Sequence, residues 1–162
     1  MILYTQAFSK DDAAKFVTGK HPLSAPLTRA FENRVAWIGI DEYGDSPIMR
    51  NIASLRAPHL VLEFVDVNPD IYASFGTTFY KAMSREQAET VVRFVSKLHK
   101  SPDTWAVLVH CQMGISRSAA VSEWIQEQKS IMPREEWSKI HLHCLPNPYV
   151  RRLLVEASGK NK

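Results

Sequence analysis

The sequence predicts an α/β fold, a central and mainly parallel sheet flanked by helices. Three short apolar runs at residues 35–40, 59–67 and 105–109 have the length and residue types of buried strands. Helical patterns stand between and after them, and such alternation produces parallel sheets. The 162 residues contain no internal repeat, Gly/Ser linker or biased tract, so one domain over residues 1–162 is expected.

Each element has a local reason. The opening Met1-Ile2-Leu3-Tyr4-Thr5-Gln6 lacks a basic stretch and a long apolar run, so it is not read as a signal peptide. Ser9 with Asp12 begins an acidic-then-apolar segment through Val17, a first helix. Residues 19–28 contain Gly19, Pro22 and Pro26 and read as loop. Run 35–40 ends at Asp41, residues 43–47 have turn chemistry, and 48–55 suit a short helix. Run 59–67 enters the loop Asn68-Pro69-Asp70. Ser84 with Gln87 is a capping-box pair. Behind it Ala88, Val91, Val92, Val95 and Leu98 share one helical face through Lys100. Ser101-Pro102-Asp103 breaks that helix before run 105–109. Residues 117–129 form a further helix with Ala120, Val121, Trp124 and Ile125 on one side. Pro133 and Pro148 suit the first turns of two more.

The formal charge of +3 is mild; it favours an anionic substrate without implying nucleic acid. No stretch approaches the roughly 20 apolar residues of a membrane span, so no membrane association is expected. Cys111 and Cys144 stand alone, which fits a reducing, cytoplasmic setting. His141-x-His143-Cys144 has no second ligand cluster near it in sequence, and no metal or other cofactor is expected. Cys144 as a partner for oxidised Cys111 rests only on its being the other thiol. Trp37, Trp105, Trp124 and Trp137 read as packing residues, and Asp41, Asp45 and Asp103 as turn residues. Nothing in the sequence sets an oligomeric state.

The chemistry concentrates in Val109-His110-Cys111-Gln112-Met113-Gly114-Ile115-Ser116-Arg117-Ser118. A strand ends at His110, a loop follows, and a helix begins near Arg117. Ligands of open α/β sheets bind beyond the carboxyl ends of strands, and a helix start offers unpaired N–H groups and a positive dipole end. Gly114 lets the loop turn so that several N–H groups converge. A cysteine at the loop entry meets a positive field, which favours the nucleophilic thiolate. Arg117 can return its guanidinium to the loop mouth and hold two phosphate oxygens. Ser118 places a hydroxyl near the sulfur.

His-Cys-x-x-Gly-x-x-Arg-Ser, matched by His110, Cys111, Gly114, Arg117 and Ser118, resembles the signature loop of the cysteine-based protein tyrosine and dual-specificity phosphatases. The ending over residues 114–118 is most similar to the small dual-specificity branch. From about Val35 to Ala157 the chain resembles small microbial predicted tyrosine phosphatases, including the Pro146-Asn147 pair before the last helix. The first thirty or so residues carry no such resemblance. The resemblance implies the phosphatase fold, a metal-free hydrolysis through a cysteinyl-phosphate on Cys111, and phosphate bound by residues 112–117: Gln112, Met113, Gly114, Ile115, Ser116 and Arg117. His110 is expected to anchor the loop by hydrogen bonds. The general acid is expected on a loop after an upstream strand; Asp66 matches the family's placement and Asp70 is the alternative. The implied substrate is a phosphorylated protein, on tyrosine or on serine and threonine. Alternatives are an RNA 5′-phosphate, an inositol phosphate or phosphoinositide, or a non-catalytic phospho-binding module. Residues 112, 113, 115 and 116 carry no cation for additional phosphates, which favours a singly phosphorylated residue.

Overall fold

The computed structural model describes residues 1–42, 47–69, 81–129, 131 and 133–159. Along the chain run β1 (Ile2–Ser9), α1 (Lys10–Val17), α2 (Ser24–Ala30), β2 (Val35–Asp41), α3 (Pro47–Ser54) and β3 (His59–Glu63). Then follow α4 (Arg85–Lys100), β4 (Trp105–Cys111), α5 (Arg117–Lys129), α6 (Arg134–Ile140) and α7 (Pro148–Ala157). The strands form one sheet in the order β1-β4-β2-β3, and every pairing in it is parallel. The expected α/β class is thus the observed one, with a described sheet that is wholly parallel.

Continuous apolar strands follow from cover on both faces. Along β2 and β4, Ala36, Ile38, Val107 and Val109 face one core with Leu62, Val91, Val95, Trp124 and Leu154. Val35, Trp37, Ala106 and Leu108 face the other, with Phe8, Phe16 and Ile52. Helices α4, α5 and α7 cover the first face and α1 to α3 the second. Among the described residues no helix is long and apolar enough to cross a membrane.

Four boundaries differ from expectation, each for a physical reason. β1 was not anticipated. It buries Ile2, Thr5 and Phe8, with a register irregularity between Ile2 and Tyr4, so the period-two signal of a strand is missing from its sequence. α2 replaces part of the expected loop because Pro26 falls in its first turn, where a missing N–H leaves no bond unmade. β3 is shorter than 59–67. After Phe64 N–H donates to Asp41 O at 3.0 Å, the next residue, Val65, donates instead to Lys81 O at 2.8 Å. Pro133 precedes α6 as its N-cap rather than lying in its first turn. The Ser84/Gln87 capping box is present on both sides, and Pro148 opens α7. Trp37, Trp124 and Trp137 are buried. Most of the expected 43–47 turn, with Asp45, lies outside the described residues, as does Asp70.

Candidate active site

β4 delivers Cys111 at its carboxyl end, and α5 starts at Arg117. The segment between them is strapped from two sides. On one side, Lys10 N–H at the start of α1 donates to Gln112 O at 3.2 Å. On the other, the Cys144 thiol donates to Gly114 O at 3.6 Å, Leu145 N–H to Ile115 O at 2.9 Å and Asn147 N–H to Ser116 O at 3.3 Å. Scaffold donors thus hold the carbonyls of residues 112, 114, 115 and 116. In a trans peptide the N–H of the next residue points opposite to the carbonyl. The N–H groups of Met113, Ile115, Ser116 and Arg117 therefore point away from those donors, as an anion-binding nest requires.

Cys111 is buried at the floor of this loop. Its sulfur accepts from Gly114 N–H at 3.3 Å and lies 3.2 Å from Ser118 Oγ. Both contacts place a donor where negative charge on sulfur would be stabilised. Burial, and after it the nearby Cys111, raises the pKa of Cys144.

Arg117 is buried, at 3% exposure, and held by two acceptors. Nη1 donates to Phe64 O at 2.8 Å, and Nη2 pairs with Glu42 Oε1 at 3.1 Å. Its Nε is buried without a partner among the described residues. Glu42 was missed in the sequence because an acid after a strand looks like a turn residue; only the packing of β2 beside β4 reveals its partner. Asp66, beyond β3, reaches the same loop, its Oδ1 accepting from Ser116 Oγ at 2.8 Å and from Asn147 Nδ2 at 2.8 Å.

His110 corrects one expectation. Its ring makes no hydrogen bond to the loop among the described residues. Nε2 instead faces Met49 Sδ at 3.2 Å, and Nδ1 is buried without a partner among the described residues. Gly39 permits this approach, since a Cβ there would meet Met49 Sδ at 2.5 Å and His110 Nε2 at 2.8 Å. Burial lowers the His110 pKa to about 4, so the ring is neutral at pH 7 and serves as packing beneath the loop. Asp41, expected in a turn, is instead a buried residue of β2 that accepts from Lys10 Nζ at 3.1 Å. His141 uses both ring nitrogens within the protein. Nε2 accepts from Ala7 N–H at 3.2 Å and Nδ1 faces Trp137 O at 3.0 Å. Among the described residues no cluster of three or more metal-ligating side chains occurs.

Gly114 has φ +75°, and a Cβ there would meet Ser9 N at 2.4 Å and Phe8 C at 2.6 Å, both backbone atoms of β1. Gly114→Ala must therefore lift the loop from β1. It is expected to destabilise the protein by about 1–3 kcal/mol and to reduce phosphate affinity at least about tenfold, since loop donors need close placement. Thermal melting with and without inorganic phosphate checks both; wild-type values would mean that the loop is not seated on β1.

This loop on this sheet has the fold of the cysteine-dependent tyrosine and dual-specificity phosphatases. Among solved structures, PTPMT1 in complex with PI(5)P is similar at 18% identity and TM-score 0.55, covering 99% of this chain and 91% of that one. PTPMT1 in a second structure gives 18% identity and TM-score 0.54, over 99% and 90% of the two chains. Human DUSP28 gives 14% identity and TM-score 0.55, over 96% and 91%. No family model matches the sequence, and no curated protein matches it. At these identities the likeness defines the fold.

Proposed function

We propose that this chain is a cysteine-dependent phosphatase acting on a phosphorylated protein side chain. The observation that carries the proposal is the strapped loop around the buried Cys111, with Gly114 N–H and Ser118 Oγ at the sulfur and Arg117 held by Phe64 O and Glu42. A phosphoryl group held there has its oxygens on the N–H groups and its phosphorus in line with Sγ. The Cys111 thiolate forms the S–P bond as the P–O bond to the leaving group breaks, and Asp66 gives that oxygen its proton. Water then attacks the cysteinyl-phosphate, losing a proton to Asp66; the S–P bond breaks and inorganic phosphate and thiolate are restored. With Nη1 and Nη2 on Phe64 O and Glu42, the expected grip on two phosphate oxygens reduces to Nε, which is buried and unpartnered among the described residues. Residues 112, 113, 115 and 116 bring no cation to the loop, which supports a substrate with one phosphate.

Phenyl phosphate and a dinitrophenyl phosphate, compared in wild type and Asp66→Asn, test the mechanism. A poor leaving group needs the proton and a good one does not. Asp66→Asn is therefore expected to slow phenyl phosphate hydrolysis about 10²–10⁴-fold and the activated ester less than about tenfold. The basic limb of the pH–rate profile should flatten as well, because that limb reports loss of the acid's proton. Equal losses on both esters would remove Asp66 from the role and leave Asp70 as the candidate. Phosphotyrosine, phosphoserine and short-chain phosphoinositide substrates compared in parallel test the substrate class; preference for the lipid headgroup would overturn it.

A further inference from the structure

We infer that Asn147, with Ser116, is a positioning residue that dictates which oxygen of Asp66 carries the transferable proton; this rests on the mechanism proposed above. Both donors converge on one atom. Ser116 Oγ and Asn147 Nδ2 each lie 2.8 Å from Asp66 Oδ1. A carboxyl oxygen accepting two hydrogen bonds has its in-plane lone pairs occupied and cannot also hold the proton. In the acid form the proton therefore sits on Oδ2. The two bonds also fix the carboxyl plane of a side chain that is itself exposed and would otherwise rotate freely.

Asn147 is built for this task. It is buried, at 6% exposure, and each of its polar groups is committed. Its Oδ1 caps α7 by accepting from Tyr149 N–H at 3.0 Å and Val150 N–H at 3.1 Å. With Oδ1 so held, the amide must present Nδ2 to the acid loop, where it reaches Asp66 and also Val67 O at 3.3 Å. Its backbone N–H holds Ser116 O at 3.3 Å. One rigid side chain thus ties the acid, the phosphate loop and the last helix into a single geometry. Ser116 supplies the second donor from within the loop, so the carboxyl is aligned against the very segment that would hold phosphorus.

Asn147→Asp isolates the role, because aspartate caps a helix as well as asparagine while replacing the amide donor by an acceptor facing Oδ1. The variant sets a carboxylate against Asp66 Oδ1 and Val67 O and is expected to melt below wild type, so both esters are compared at a temperature where it is folded. Its kcat for phenyl phosphate should fall about 10- to 100-fold, as misplacement of a reacting group does. Its kcat for the dinitrophenyl ester should change less than about threefold, the same leaving-group bias as Asp66→Asn. Ser116→Ala, which leaves the cap untouched, should show that bias at about 3- to 10-fold, and it decides the matter should Asn147→Asp fail to fold. Equal losses on the two esters, or wild-type ratios in both variants, would overturn the inference while Asp66→Asn still shows its bias. Absence of bias in Asp66→Asn itself would remove the acid assignment, and this inference with it.

Discussion

Cys111→Ser is expected to abolish turnover, lowering the rate by about 10⁴-fold or more, while leaving the fold and phosphate binding in place. Serine nearly matches cysteine in volume, and the buried position keeps both polar neighbours, Gly114 N–H and Ser118 Oγ. A hydroxyl is not ionised at neutral pH, and among the described residues no histidine or carboxylate is bonded to position 111 to take its proton. The loop N–H groups and Arg117 do not depend on the sulfur, so inorganic phosphate should still raise the melting temperature of the variant. Steady-state hydrolysis of an aryl phosphate above background would sink the covalent mechanism. Loss of the phosphate-induced shift would instead show that the loop had collapsed.

Arg117→Lys is the second large effect expected, a loss of about 10³-fold or more in kcat/KM. The guanidinium holds two acceptors from one plane, Nη1 on Phe64 O and Nη2 on Glu42, and its buried Nε, unpartnered among the described residues, is the donor proposed for phosphate. An ammonium is a point charge on a flexible stem. Drawn to Glu42, it leaves the phosphate with a cation at the wrong place; drawn to the phosphate, it leaves Phe64 O and Glu42 without their donor. Both arrangements weaken transition-state charge stabilisation, so kcat should fall with KM changing less. A decrease below about tenfold would mean that charge alone suffices and that the fork is not used.

The parts of this site that could be read from the sequence are those confined to one contiguous stretch. His110 to Ser118 contains the sulfur, the turn glycine, the arginine and the serine, and local geometry alone demands those residue types in that order. Asp66 was legible only as a strand-end acid among other acids. What singles it out is contact across the fold, through Ser116 and Asn147. Glu42 and the Phe64 carbonyl were not legible at all, because the first reads as turn chemistry and the second is backbone. The fold divides similarly. β2 and β4, buried on both faces, announce themselves as apolar runs, and α4 through its cap and stripe. β1 does not, since its buried positions include Thr5, which bonds Ser122 at 3.1 Å in place of an apolar contact.

That edge strand has a bearing on how the protein can be divided. The sequence resemblance begins at about Val35, and a fragment cut there would retain Cys111, Arg117 and Asp66. It would nonetheless be missing a wall. Ser9 is the register partner of Cys111, Lys10 secures the Gln112 carbonyl, and Gly114 rests against the Phe8–Ser9 backbone. With that strand removed, β4 becomes a bare edge whose unpaired backbone groups invite association with another chain. The portion without a sequence resemblance is thus inseparable from the proposed site: the excised segment would possess the reagents without the vessel.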